Sequence, residues 1–518
     1  MQIRLSFLIL CLCLWGGQVD AAIIAAASCS RDDAVTAISS ASIGDIVTVP
    51  AGECTWASNI TVSQKITVQG AGTELTKITG GGFTLGTSGA RITGFGFTNS
   101  IINATGNGFR INHCKFTHSS WSNSIAITGS YAATVPSDFI GVVDNCQFVN
   151  GRVVATGTPA MFTDDAGNVQ HTLWTWPLGL GDNNSLYVED CEFTSTVTSN
   201  NSHDGNYGGG YVARYNSYDT AGTGYTIEVH GVQGANRANR RWEVYRNTVS
   251  SSTRTGPYFI RGGTGVVFDN QTLGTFTQTH AVILDDQRSS TAKTTSGKCD
   301  GSSLWDGNVI GGYPCRDQIG RGPDTVKWNH DPAGAYTQPL VPAYLWGNRN
   351  SSNAISGVVI SDGGTGNVAA NRDFYSESAS FNGTSGVGVG PLPARPATCT
   401  AGVGYWATDQ GTWNKTVGGE QGVLYKCTST DTWEVYYTPY EYPHPLRGES
   451  TPDPVCSPTN RDLCDDTNCA TTGEGYWYGG VCNATPESTP GTRSGAPRFG
   501  TGNPPAFSGK VPVFVGAD

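Results

Sequence analysis

The stretches FRINHCKF (109–116), GVVDNCQF (141–148) and LYVEDCEF (186–193) are three copies of one frame. Each copy holds a small apolar residue, two polar residues, a cysteine, one more polar residue and a phenylalanine. Moved along the chain, the frame finds RITGFGF (91–97), with Phe95 at the cysteine position, and then YVARYNSY (211–218), EVYRNTV (243–249) and VVFDNQT (266–272). These three put Asn216, Asn247 and Asn270 there, and LWDGNVI (304–310) and LWGNRN (345–350) extend the file to Asn308 and Asn348. An interval that varies between roughly twenty and forty-five residues, with insertions between fixed frames, is the mark of a solenoid. Ile92, Ile111, Val143, Val188, Ala213, Val244 and Val267 all precede the frame position by three residues and suit an inward pleat. Parallel strands stack about 4.7–4.9 Å apart, so like residues of successive coils form columns. Amides in such a column bond to one another, and thiols stack as small apolar groups. Phe95, Cys114, Cys146, Cys191, Asn216, Asn247 and Asn270 are therefore expected in single file, with the three cysteines as free thiols. A β-sandwich of alternating strands is the competing reading.

Composition agrees with an all-β chain. It has 69 Gly and only 14% charged residues, which favours short strands and turns. The net charge of −11 argues against nucleic acid as a partner, though not against an anionic substrate met by a local basic patch.

The stretch AVTAISSASIGDIVTVPAGECTWASNITVSQKITVQGAGTELTKITGGG (34–82) reads as a short amphipathic helix followed by closely spaced strands. It resembles the opening of the right-handed parallel β-helix proteins of the pectate-lyase-like superfamily, and RGGTGVVFDN (261–270) and GYPCRDQIGRG (312–322) look like bacterial secreted β-helix repeat proteins. The resemblance covers roughly residues 29–395. It implies a right-handed parallel β-helix over 28–395 whose open end is capped by the helix. It does not single out an activity, because that fold carries lyases, hydrolases, epimerases and adhesins.

The N-terminus, MQIRLSFLILCLCLWGGQVDAA, places one arginine before an apolar run and reads as a secretory signal over 1–27, taking Cys11 and Cys13 with it. No later stretch approaches the ~18–20 apolar residues of a membrane span, so the expected location is extracellular, at the cell surface or periplasmic. Cys29 with Cys54, Cys299 with Cys315, and Cys399 with Cys427 bracket short loops and are disulfide candidates. The last pair would close an aromatic insert in 396–450, which ends in YPHPLRG (442–448) as an end cap. Cys456, Cys464, Cys469 and Cys482 form a Cys-rich module at 451–484, with connectivity open and zinc as the competing reading. Residues 485–518 are rich in Pro, Gly, Ser and Thr and read as a flexible tail and candidate surface tether.

Scarce charges gather between 203 and 321. Aligning YTIEVHG (225–231), PYFIRGG (257–263) and HAVILDDQR (280–288) stacks His230 over Arg261, and Asp285 beneath it if Leu284 follows Ile260. Such a column spans about 10 Å, or one to two sugar units. On a second outward face lie Arg214 and Tyr245, and the segment VQGANRANRR (232–241) would bring Arg237, Arg240 or Arg241 over them. This set suits β-elimination in an acidic extracellular polysaccharide, which needs a base and a cation that neutralises the uronate. The expected roles are His230 as base, Arg261 and Arg241 as carboxylate clamps, and Asp285 as orienter. Arg214, Tyr245, Arg240 and Arg288 are expected to bind substrate. The one candidate cofactor is Ca²⁺, on Asp285, Asp286 and Asp204. Two alternatives stand beside the lyase. One is a glycoside hydrolase, given the Asp pairs at 164–165 and 285–286 and the His-Gly at 230–231 that faintly resemble polygalacturonases. The other is a non-catalytic adhesin, fibre subunit or sugar-binding protein with the insert's Trp and Tyr as stacking surfaces. The bland alternative is an ion-paired outer face that keeps a solenoid soluble.

Overall fold

The structure is a computed structural model that describes residues 21–86, 89–128, 141–157, 174, 176–198, 201–232, 237–276, 282–285, 315–324, 338–361, 366–448, 476–478 and 481–483. Asp286, Arg288, Cys299, Asn308, Cys456, Cys464 and Cys469 lie outside them, as does the side chain of Asp285. The chain divides into two compact units, Met1–Pro454 and Val455–Asp518.

Corners set the coil. His113, Asn145, Asp190, Tyr215, Arg246 and Asp269 all adopt left-handed backbone with φ between 49° and 57°. A single left-handed residue turns an extended chain sharply and ends a strand. The residue after each corner is the frame position, aimed inward. Repetition of this corner winds a right-handed parallel β-helix whose strands form one continuous 27-stranded sheet. Three faces are distinguished below as sheets A, B and C. Sheet A runs from Ile23–Ala25 and Ile46–Val49 through Leu186–Glu189, Gly210–Arg214, Arg241–Tyr245 and Thr264–Phe268 to Phe374–Ser376. Sheet B follows each corner, as in Ser217–Asp219 and Thr248–Ser251. Sheet C completes the coil with His203–Asn206, Tyr225–Val229, Gly256–Ile260 and Val282–Asp285.

Register follows the sequence expectation. Ile92, Ile111, Val143, Val188, Ala213, Val244 and Val267 face one another rung by rung, all fully buried. In the asparagine column, Asn247 Oδ1 accepts from the Asn216 backbone N–H at 3.0 Å, and Asn270 Oδ1 does the same for Asn247 at 3.0 Å. Asn348 continues the file by accepting from the Asn270 side-chain amide at 2.9 Å. At the other end, Asn216 Oδ1 accepts from the Cys191 N–H at 2.9 Å, where the amide column meets the thiol column. Cys114, Cys146 and Cys191 are buried free thiols. Burial and the neighbouring sulfurs push the Cys146 thiol well up. One step along, Phe97, Phe116, Phe148, Phe193 and Tyr218 form a stacked column with ring centroids 4.5–5.2 Å apart. Phe95 pairs at the frame position and stacks on Phe97 at 5.6 Å.

At the first coil, the helix Arg31–Ser40 is capped by Ser30, whose hydroxyl accepts from the Asp33 N–H, and buries Ala34, Ala37 and Ile38 in the core. The Cys29–Cys54 disulfide ties its entry to the strand Gly52–Trp56. The strand Ile23–Ala25 pairs with Ile46, Val47 and Thr48 as the first rung of sheet A. The solenoid thus begins inside the segment 1–27 expected to be removed, because Ile23–Ala25 supplies the backbone partners of that strand's free edge.

The aromatic insert folds as a small strand unit with buried aromatics. Its strands Gly404–Ala407, Val423–Ser429 and Thr432–Tyr437 join Val387–Gly390 in a separate four-stranded sheet, with Cys399 and Cys427 bonded. This sheet lies on the outer face of sheet A. Trp406, Trp413, Tyr437 and Tyr442 are buried there with Tyr245, Phe268 and Trp346, so they do not form an open stacking surface. YPHPLRG is not an end cap. Its single turn Pro445–Arg447 packs on the middle rungs, where Arg447 donates to Glu189 at 3.0 Å. In the second unit, Tyr476–Tyr478 and Val481–Asn483 pair as an antiparallel hairpin that carries Cys482. No described helix is long and apolar enough to cross a membrane.

Candidate functional site

Alternation on sheet C decides which side chains reach solvent. In His203–Asn206, His203 points into the core, where it is 1% exposed and meets the Tyr218 hydroxyl at 2.7 Å. Asp204 then faces outward. One rung on, Ile227 pairs with His203, so Glu228 and His230 share the outward face with Asp204. One rung earlier, Val153 pairs with His203 and Arg152 precedes it on the outer side. These residues converge on a groove of about 530 Å³ that Trp121 and Tyr225 also line.

The groove is held by polar bonds. His230 Nδ1 lies 2.7 Å from Asp204 Oδ1. A carboxylate on Nδ1 fixes the tautomer and leaves Nε2 as the basic nitrogen. Arg152 lies over the Trp121 ring at 4.1 Å and donates to Asn201 Oδ1 at 2.9 Å and to Asp204 Oδ2 at 3.4 Å. Burial lowers the Arg152 pKa, against the pull of Asp204 and Glu228. Asn201 is the organiser. Its amide donates to Glu228 Oε2 at 2.6 Å, and its backbone carbonyl accepts from Trp121 Nε1 at 2.9 Å. Glu228 also pairs with Arg261, whose guanidinium lies over Phe259 at 5.0 Å. Phe259 in turn stacks on Tyr225 at 4.0 Å.

His230, Asp204 and Arg261 are thus brought together. Val229 pairs with Ile260, and Ile260 with Leu284, which sets the backbone of Asp285 in file after Arg261 as the alignment required. The remaining predicted residues go elsewhere. Arg214 and Tyr245 do point outward from sheet A, but the insert covers that face. Arg214 is fully buried and spends its donors on Glu189, Tyr245 and the carbonyls of Tyr440 and Glu441. Arg240 donates to the carbonyls of Trp176 and Pro177, and Arg241 to those of Leu178, Gly179 and Asn184. Both are buried staples for the 176–184 segment, because one guanidinium carries five N–H donors and can meet several clustered carbonyls at once. Neither clamps a ligand in the His230 groove. Asp204 does not fit a Ca²⁺ ligand, since its two oxygens already face His230 and the Arg152 cation. Among the described residues no group of three or more His, Cys, Asp or Glu is arranged to hold a metal ion.

Sequence reading missed Trp121, Arg152, Asn201 and Glu228. They come from separate coils and form no local motif. Glu228 alone carried a signal, sitting two residues before His230 and so on its face of the strand.

No protein-family model, curated protein or solved structure matches the chain. The fold therefore defines a parallel β-helix, a class compatible with carbohydrate-active enzymes and with adhesins, and goes no further.

Proposed function

We propose that this is an exported, pectate-lyase-like β-helix protein that cleaves an extracellular, acid-bearing polysaccharide by β-elimination in the sheet C groove. The observation that carries the reading is the His230–Asp204 pair at 2.7 Å within a groove that also holds an arginine stacked on a tryptophan. In the reaction, His230 Nε2 takes the proton on the carbon beside the substrate carboxylate. That electron pair becomes the new carbon–carbon double bond, and the glycosidic oxygen leaves with its bonding pair and takes a proton from solvent. Arg152 offsets the charge that builds on the carboxylate, and aromatic faces seat the sugar rings. The apolar leader and the disulfides support export to the cell exterior.

Incubation with pectate, alginate and glycosaminoglycans, followed by the absorbance of the unsaturated product, tests the reading. His230→Ala should reduce the rate by roughly 10²–10⁴-fold, the usual worth of a positioned base. A wild-type protein that yields no such absorbance with any polymer defeats it. A hydrolase is the second reading, favoured by Asp204 and Glu228 as outward carboxylates on adjacent rungs of one groove. New reducing ends without the absorbance would select it, and retained binding without either product would select an adhesin.

A further inference from the structure

The charges of the groove are ordered along the solenoid axis. Arg152, Asp204 and Glu228 come from successive rungs of sheet C, and the single Asn201 side chain bridges the Arg152 guanidinium and the Glu228 carboxylate, a separation on the scale of neighbouring sugar units. The wall thus has an arginine end, where Arg152 stacks on Trp121 and pairs with Asp204, and a glutamate end beside Tyr225, where Glu228 pairs with Arg261. An all-acid polymer fits only the first. At the second end its carboxylate would meet Glu228, and could reach Arg261 only by separating the Glu228–Arg261 pair. That exchange leaves Glu228, whose side chain is 16% exposed, to the Asn201 amide alone.

We infer that the substrate repeat carries a carboxylate and a protonated amine on neighbouring sugar units, the carboxylate read by Arg152 and the ammonium by Glu228. The inference rests on the groove assignment made above. It makes Glu228 the specificity-determining residue, since an ammonium is the one sugar substituent that gains from its full charge. Asn201 positions that carboxylate and Arg152 together, which keeps the two ends at a fixed separation.

Binding to the full-length protein is measured by calorimetry with three probes. They are an alternating uronate–N-acetylhexosamine polymer, the same polymer after de-N-acetylation, and polygalacturonate. The de-N-acetylated polymer should bind about tenfold or more tighter than the other two. Glu228→Gln retains the size of the side chain and its capacity to bond Asn201, and it should erase that preference while improving polygalacturonate binding. Equal affinity for the acetylated and free-amine polymers overturns the inference, as does a preference that survives in Glu228→Gln. Circular dichroism melting of the variant checks that it is folded, and Glu228→Ala serves as the second variant with the same expected loss of preference. Absence of binding to all three polymers overturns this inference together with the groove assignment. Binding with the expected preference but no unsaturated product supports the inference and defeats only the elimination chemistry.

Discussion

His203 and His230 lie on adjacent rungs of sheet C and have opposite fates. His230 faces the groove, whereas His203 is sealed in the core against Tyr218, and burial lowers its pKa from 6.5 to about 3. The folded state therefore keeps His203 neutral where the unfolded chain binds a proton. Its stabilising contribution is complete above pH 6.5 and is lost progressively as pH falls toward about 3. At pH 5 the loss is about 2 kcal/mol. His203→Gln should narrow the stability difference from wild type by that order between pH 7 and 5, read from urea midpoints. A difference that stays constant would show that His203 is not held neutral. Legibility at this scale is uneven for the same reason. The spacing of YTIEVHG and PYFIRGG gave the stacking of His230 and Arg261, because strand alternation is a rule of two. Nothing in the sequence distinguished Arg214 from Arg261, since both are outward arginines and only their coverage differs.

At the scale of the element, the file of amides replaces what a turn would otherwise leave unmet. Asn247 accepts from the backbone N–H and side-chain amide of Asn216 and donates to the Ala213 carbonyl at 2.9 Å. Asn247→Ala leaves a buried N–H without that acceptor and should cost roughly 1–3 kcal/mol in chemical denaturation. Adding Asn270→Ala should cost less than the sum of the two, because both remove the Asn247–Asn270 bond. Full additivity would mean that the column does not act as a connected unit. This element was legible because it repeats: a thiol or amide after a left-handed corner recurs often enough to be seen without an alignment. The groove was less legible because Trp121, Arg152 and Asn201 are assembled by stacking, from coils whose sequences carry no common motif.

Across the whole first unit, the largest surprise is the use of the aromatic insert. Density in Trp and Tyr suits either a sugar platform or a cover, and composition does not choose between them. What chooses is sheet A, whose outward Tyr245, Phe268 and Trp346 form an apolar stripe that needs a partner. The cover is fastened by buried charges. Arg447 reaches Glu189 at 3.0 Å and Asp144 at 3.5 Å, and Arg110 grips the Arg447 carbonyl at 3.0 Å. Against strong desolvation, Arg110 and Arg447 hold the Asp144 carboxyl below its ordinary range, and Arg214 and Arg447 do the same for Glu189. Arg447→Ala takes one of two cations from each of two buried carboxylates, Asp144 keeping Arg110 and Glu189 keeping Arg214, and should destabilise the protein by roughly 1–3 kcal/mol, with earlier proteolysis within 387–448. Unchanged melting and unchanged cleavage would mean that the fastening carries no weight.

The bond from Arg110 to Arg447 joins positions 337 residues apart. Ribosomes deliver chains from the amino end, so coils that wind early present a bare greasy seam until the closing segment emerges. Biogenesis of this molecule thus contains a vulnerable interval, in which half-made copies are prone to stick to one another. The emergence of residues 387–448 ends that interval.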